Sequence, residues 1–239
     1  SIICFPMQIV ILCGGLATRL GRLAKDTSKS MIQIKSKPFL EYQIEELKRH
    51  SITDIVLCVG HLSEQIKDYF GNGKKLGVNI RYSYDKKKPL GPIGALKKAE
   101  PLLQDNFFTM YGDSYVFVDF KKVHSYFQEQ NKLALMVVYQ NYDKFDKSNI
   151  IIKDGSIKQY GGEKTKEMTY IDYGVSLFRK KTLNSIPKNT FFSTKDLFSN
   201  LVKQDELLAF EVKKRFYHIG IPEALTEFKK YIETKKKRI

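Results

Sequence analysis

The sequence predicts an α/β fold: a mostly parallel sheet flanked by helices, with a C-terminal β-rich portion that completes a pocket. Three observations carry that reading. Short runs of β-branched and aromatic residues alternate with amphipathic stretches of helical period. The first apolar run, Gln8–Cys13, passes straight into Gly14-Gly15, the kind of turn that open α/β sheets place at the carboxyl end of a strand. Beyond Tyr139 the texture changes, and Asp154-Gly155 between two short apolar runs signals a hairpin.

Taken in order, strands are expected at Gln8–Cys13, Asp54–Val59, Asn79–Tyr84, Phe107–Tyr111 and Leu133–Tyr139. Helices are expected between them at Phe39–His50, Ser63–Phe70, Ile93–Glu100 and Phe120–Asn131, the first carrying Phe39, Leu40, Ile44 and Leu47 on one face. Helices separating strands favour parallel pairing, a Rossmann-like arrangement. Asn149–Lys153 and Ser156–Tyr160 form the hairpin, Met168–Phe178 a further strand, and Lys195–Lys203 and Pro222–Ile232 two helices around a strand near Leu207–Val212. No linker or repeat divides the chain, so residues 7–232 are read as one domain. Residues 1–6 are read as a remnant ahead of a start at Met7, and residues 233–239 as a frayed basic tail.

The chain of 239 residues is long enough for a substantial core, and 42% hydrophobic content excludes disorder and coiled coil. Cys4, Cys13 and Cys58 form no C-x-x-C pair and the four histidines are scattered, so neither a disulfide framework nor a zinc knuckle is offered. A reduced, cytoplasmic setting is expected. The apolar opening of the chain lacks a basic leader and a cleavage site and is too short to span a bilayer, so no membrane insertion is expected. The formal charge of +15 raises nucleic acid as a partner, but 34 of the 41 basic residues are Lys. A Lys-rich solvated surface lacks the Arg forks that groove and phosphate recognition favour, so no specific nucleic acid is expected.

The loop after the first strand carries the strongest chemical signal. About 20 residues separate Gly14-Gly15 from the next helix, and they include Arg19, Arg22, Lys25 and Lys29. A connection that long and that basic reads as a cradle for phosphate groups. Nicotinamide and P-loop chemistry are disfavoured, since the second strand ends Val59-Gly60-His61 without an acid and no G-x-x-x-x-G-K-[ST] occurs. The hydrolase elbow G-x-S-x-G is also missing. The fourth strand ends Tyr111-Gly112-Asp113-Ser114, which in a parallel sheet brings a carboxylate to the same edge as the basic loop. Alone, such an Asp reads as a turn or helix cap; beside a phosphate loop it suits a phosphate-bound Mg²⁺.

These residues together resemble the sugar-1-phosphate nucleotidyltransferases. That family has G-G-x-G-T-R-L, P-K-P-M and a later G-D, which stand here as Gly14-Gly15-Leu16-Ala17-Thr18-Arg19-Leu20, Ser28-Lys29-Ser30-Met31 and Gly112-Asp113. Further blocks are Lys37-Pro38-Phe39-Leu40-Glu41-Tyr42, Pro89-Leu90-Gly91-Pro92-Ile93-Gly94-Ala95-Leu96, Tyr170-Ile171-Asp172-Tyr173-Gly174 and Phe216-Tyr217-His218-Ile219-Gly220-Ile221-Pro222-Glu223. Any one block is weak, whereas all of them in register from Met7 to about Tyr231 are specific. Wording such as Gly112-Asp113-Ser114-Tyr115 is most similar to the heptose- and mannose-1-phosphate guanylyltransferase branch.

The resemblance implies in-line attack of a sugar 1-phosphate oxygen on the α-phosphorus of a nucleoside triphosphate, with GTP favoured. It implies Arg19, Lys29 and Asp113 as catalytic residues, and Leu12, Gly14, Gly15, Thr18 and Gly91 as the nucleotide site. Gly112, Lys164, Asp172 and Gly174 would face the sugar phosphate, and a homo-oligomer is expected. Asp113 and His218 would hold Mg²⁺, with Mn²⁺ or Co²⁺ as alternatives. Departures from the family pattern are Ala17 for a loop glycine, Ser28 and Ser30 for prolines, and His218 for the second metal-binding acid. Imidazole suits Mg²⁺ poorly, so His218 implies either a different ion, a site built on one carboxylate, or a histidine in the pocket wall. A cytidylyltransferase on a non-sugar phosphate and a catalytically impaired nucleotide-sugar sensor are the competing readings.

Overall fold

The computed structural model describes residues 6–15, 18–85 and 88–236. Its strands are β1 (Gln8–Leu12), β2 (Gln33–Ile34), β3 (Lys37–Pro38), β4 (Asp54–Val59), β5 (Asn79–Tyr84), β6 (Asn106–Tyr111), β7 (Ser114–Tyr115), β8 (Ala134–Gln140), β9 (Ile150–Lys153), β10 (Ser156–Tyr160), β11 (Tyr170–Arg179), β12 (Leu207–Glu211) and β13 (Tyr217–His218). The α-helices are α1 (Phe39–Arg49), α2 (Ser63–Phe70), α3 (Gly91–Lys98), α4 (Phe120–Gln128), α5 (Thr194–Lys203) and α6 (Pro222–Lys236).

Nine strands form one sheet in the order β5-β4-β1-β6-β11-β8-β12-β10-β9. The pairings make β5, β4, β1, β6, β8, β12 and β9 run one way and only β11 and β10 the other, so the sheet is parallel from β5 to β6 and at β8–β12 and turns antiparallel at β11 and β10. From β1 the chain builds outward through β4 and β5, then returns to place β6 on the opposite side of β1. That reversal opens a crevice beyond the carboxyl ends of β1 and β6, where α/β sheets bind ligands.

The run QIVIL explains why β1 is central. Ile9, Val10 and Ile11 are fully buried, with Ile9 and Ile11 facing the helices α1, α2 and α4 and Val10 facing α3 and α5. A third cluster joins α6, through Leu225, Phe228 and Ile232, to Leu20, Ile32, Ile34, Phe39, Tyr42, Tyr115 and Ile219. It binds the basic loop, the start of α1, β7 and the approach to α6 into one apolar patch.

Helix ends differ from the sequence reading for local reasons. The last helix runs through to Lys236, beyond Ile232, because lysines propagate a helix well. Residues 237–239 of the expected basic tail, residues 1–5 and Ala17 lie outside the described residues. Helix α3 begins at Gly91, two residues early, because the carbonyl of Phe192 accepts from Ile93 N–H (3.1 Å) and Gly94 N–H (3.3 Å). No described helix is long and apolar enough to cross a membrane.

Candidate active site

Beyond Leu12 the ladder continues by one bond, Cys13 N–H to Cys58 O at 2.8 Å, and the chain then leaves the sheet edge. Gly14 and Gly15 are exposed, and among the described residues beyond their chain neighbours none comes within 4 Å of a Cβ on either. Thr18 and Arg19 are exposed at the start of a 3-10 segment, Thr18–Ala24, which buried Leu20 anchors in the α6 cluster. Arg19 holds no ion pair among the described residues, Asp113 included. The loop that carries it leaves from the same sheet edge as the Asp113 turn, since β1 and β6 run parallel with Leu12 beside Tyr111.

Lys29 is positioned differently. Ser28 N–H donates to Gln65 Oε1 (3.0 Å) and Gln65 Nε2 donates to Asp26 O (2.8 Å), so one side chain of α2 clasps the loop. Ser28 sits at φ −55°, close to the value a proline would fix, and Ser28 and Ser30 are both buried. Ser28 thus holds a proline-like φ without a proline. Beneath it, burial pushes the Cys13 thiol up to about 12 despite a hydrogen bond with Ser30, so the thiol stays protonated and inert.

The Asp113 turn is fixed from three sides. Gly112 N–H donates to Leu12 O (3.0 Å), and a Cβ there would fall 2.6 Å from that oxygen, which only glycine avoids. Gln43, buried on α1, donates from Nε2 to Tyr111 O (3.1 Å) and Ser114 O (2.7 Å). Ile219 N–H donates to Asp113 O (3.0 Å), and β13 pairs with β7 so that His218 lies opposite Ser114. The Asp113 carboxylate caps no helix; its Oδ2 accepts from Lys29 Nζ at 3.2 Å. Two sequence-expected residues 84 positions apart therefore meet at the crevice.

Asp113 and His218 flank Gly220, each with an atom (Oδ2 and Nδ1) 3.3 Å from where a Gly220 Cβ would stand. His218 Nδ1 accepts from Gly220 N–H at 3.1 Å. Burial holds the imidazole below its ordinary pKa, opposed by Asp113 and Asp146.

Across the β6–β11 boundary, Asp172 Oδ2 accepts from Tyr111 Oη–H (2.8 Å) and its Oδ1 from Gly174 N–H (2.8 Å). Burial pushes the Asp172 carboxyl up to about 6, and the two hydrogen bonds offset only part of that. Gly174, at φ +93°, stands where the β11–β8 register slips, and a Cβ there would meet Ser114 Oγ at 2.9 Å. It brings Asp172 up against the Asp113 turn. Gly91, at φ +70°, is packed by Phe191 and Phe192, and neighbouring Leu90 N–H donates to Asp85 Oδ2 (2.8 Å).

Lys164 is engaged elsewhere. Its Nζ reaches Asp143 Oδ1 (2.6 Å), Ser148 O (2.7 Å) and Met168 O (3.2 Å), bracing the turn after β8. Sequence reasoning missed Gln43, Gln65 and Tyr111. All three act through contacts distant along the chain, and no local pattern marks them.

Comparison with known proteins gives a consistent picture. The family model for nucleotidyl transferases matches residues 8–235. A D-glycero-alpha-D-manno-heptose 1-phosphate guanylyltransferase of Campylobacter jejuni is 32% identical over 223 residues, covering 93% of this chain and 98% of that protein. A protein of the same name from Aneurinibacillus thermoaerophilus is 28% identical over 232 residues, covering 95% and 99%. The crystal structure of HddC from Yersinia pseudotuberculosis complexed with GMP-PN has a TM-score of 0.80 at 25% identity, covering 95% of this chain and 99% of that one. The inositol-1-phosphate CTP transferase of T. maritima, at 21% identity and a TM-score of 0.79, shares the fold.

Proposed function

The chain belongs to the nucleotidyl transferase family, and from that premise we propose that it joins GTP to a heptose or hexose 1-phosphate, giving a GDP-sugar and pyrophosphate. The observation that carries the reading is the Lys29–Asp113 pair at the sheet edge where β1 and β6 end and the exposed Gly14-Gly15 backbone follows. Guanine and heptose are favoured because the guanylyltransferases above match almost end to end.

The chemistry needs no covalent intermediate. An oxygen of the sugar phosphate bonds to the α-phosphorus, the α–β bridging bond breaks, and pyrophosphate leaves with the electron pair. The protein's task is to bring two polyanions together and hold charge near them. Lys29, fixed by the Gln65 clasp, offers a cation to the reacting phosphates. Arg19, exposed and without an ion pair among the described residues, is available to the pyrophosphate. Asp172, held by Tyr111 and Gly174, offers an acceptor to sugar hydroxyls.

The Asp113 carboxylate, a hard oxygen donor at the crevice, suits Mg²⁺, which would neutralise phosphate charge there. We further propose action in the cytoplasm, as a homo-oligomer, in making sugar nucleotides for cell-surface polysaccharide.

A matrix of four NTPs against several sugar 1-phosphates, read as phosphate after added pyrophosphatase, tests the reading. GTP with heptose or mannose 1-phosphate should give the highest rate, and Asp113→Asn should abolish it while leaving the fold intact. A best pairing of CTP with a non-sugar phosphate would move the substrate class. Nucleotide binding without any phosphate release would make the protein a sensor.

A further inference from the structure

His218 stands where the resemblance implies a second acidic metal ligand, and its hydrogen bonding argues for a different task. The ring is anchored on the two-residue pairing of β13 with β7, opposite Ser114, so it is held next to Asp113. Its Nδ1 lone pair is taken by Gly220 N–H at 3.1 Å. A ring that accepts at Nδ1 is neutral with its proton on Nε2, because neutral imidazole has one donor and one acceptor. The nitrogen left over is therefore an N–H donor, and a donor has no lone pair for a cation.

The surroundings leave that donor free and place its ring among charged groups. Nε2 has no hydrogen-bond partner among the described residues, and it is not one of the buried atoms left without one. The Asp113 Oδ2 and the Nδ1 of the ring each lie 3.3 Å from one point, the place of a Gly220 Cβ, so the ring and the carboxylate are close neighbours. Lys29 Nζ sits on the same carboxylate oxygen. Gly220 itself is what permits this: its N–H sets the tautomer, and its missing side chain leaves the ring and carboxylate side by side.

We propose that His218 is a phosphate-binding residue, donating through Nε2–H to a non-bridging phosphate oxygen of substrate beside Asp113, and that Asp113 is the single protein carboxylate left to a divalent ion. The proposal rests on the nucleotidyl-transfer reading above. It replaces an acid's indirect hold on the substrate, through metal, with a direct hydrogen bond.

Three variants separate the roles. Asn at 218 can occupy the Nδ1 position but cannot reach as far as Nε2; Gln can place an N–H₂ near Nε2; Asp restores the acid. GTP and mannose 1-phosphate are titrated in EDTA, where a metal-ligand role cannot show, and Mn²⁺ binding is followed by electron paramagnetic resonance. His218→Asn should weaken at least one of the two phosphates by roughly tenfold or more, as loss of a hydrogen bond to a charged group requires. His218→Gln should stay within about threefold of wild type, and Mn²⁺ affinity should be unchanged in His218→Asn but lost in Asp113→Asn. His218→Asp should tighten Mn²⁺ and weaken phosphate binding in EDTA. If His218→Asn loses Mn²⁺ as Asp113→Asn does, the residue is a ligand and the proposal is overturned. Unchanged phosphate binding in EDTA, or equal losses in the Asn and Gln variants, overturns it too. Circular dichroism of each variant identifies any that fail to fold. Failure of wild type to bind either phosphate would instead overturn the functional reading, so the two failures are distinct.

Discussion

Replacing Asp172 by Asn should make the protein less sensitive to pH, by an amount that the surroundings of the carboxyl set. Burial moves this group from the ordinary 3.8 to about 6. At 1.36 kcal/mol per pH unit that displacement is worth about 3 kcal/mol, and solvent at its partly open edge trims it to about 2 kcal/mol. The sign follows from proton linkage: the folded state holds this proton more tightly than the unfolded state. Ionisation therefore opposes folding, so stability from this group is intact below about pH 4 and declines as pH rises through about 6. Asn cannot ionise, and it keeps an oxygen for one of the two hydrogen bonds from Tyr111 and Gly174. Urea unfolding of both proteins, followed by far-ultraviolet circular dichroism from pH 4 to 7.5, should show wild type losing about 2 kcal/mol relative to Asp172→Asn. A difference between them that stays flat to within about 0.5 kcal/mol over that range would refute the argument. In turnover, wild-type kcat/KM for the sugar phosphate should rise through about pH 6 as the carboxylate forms.

Two further perturbations probe the Asp113 turn. Gly112→Ala puts a Cβ 2.6 Å from Leu12 O and 3.1 Å from the Cys13 Cα, both backbone, so β1 and β6 must part. A loss of roughly 1–3 kcal/mol in urea unfolding is expected, with a much larger fall in kcat, as for other overpacked sites. Gln43→Leu keeps the bulk but leaves Tyr111 O and Ser114 O without their donor. Stability should fall by about 1–3 kcal/mol and kcat should fall more than KM rises, measured by steady-state pyrophosphate release.

The strands and helices were legible because their signal is local. Ile9, Val10 and Ile11 could only be a strand buried on both faces, and Phe39, Leu40, Ile44 and Leu47 could only be a helix face. The basic loop and Asp113 were legible as neighbours because a parallel sheet brings strand ends to one edge, and the contact of Lys29 with Asp113 at 3.2 Å is what the structure adds. What escaped is whatever depends on pairing too short to have a period. The two-residue strands β7 and β13 bring His218 to the site, yet nothing in Tyr217-His218 marks a strand. The role expected of His218 as a metal ligand came from its position in a motif. The Gly220 N–H that takes its Nδ1 lone pair is visible only in three dimensions. Lys164 escaped for the opposite reason: its sequence neighbourhood is informative, but Asp143, 21 residues earlier, holds its ammonium group.

Strand β11 runs against both of its long neighbours, so it begins at the rim where they finish. The segment that feeds it, residues 161–169, therefore arrives at the sheet, while the segments that carry Lys29 and Asp113 depart from it. Length and composition ahead of Tyr170 can then drift without dragging on the ladder that seats Asp113. On the proposed function, that separation leaves the turn holding Asp113 undisturbed by changes on the sugar side.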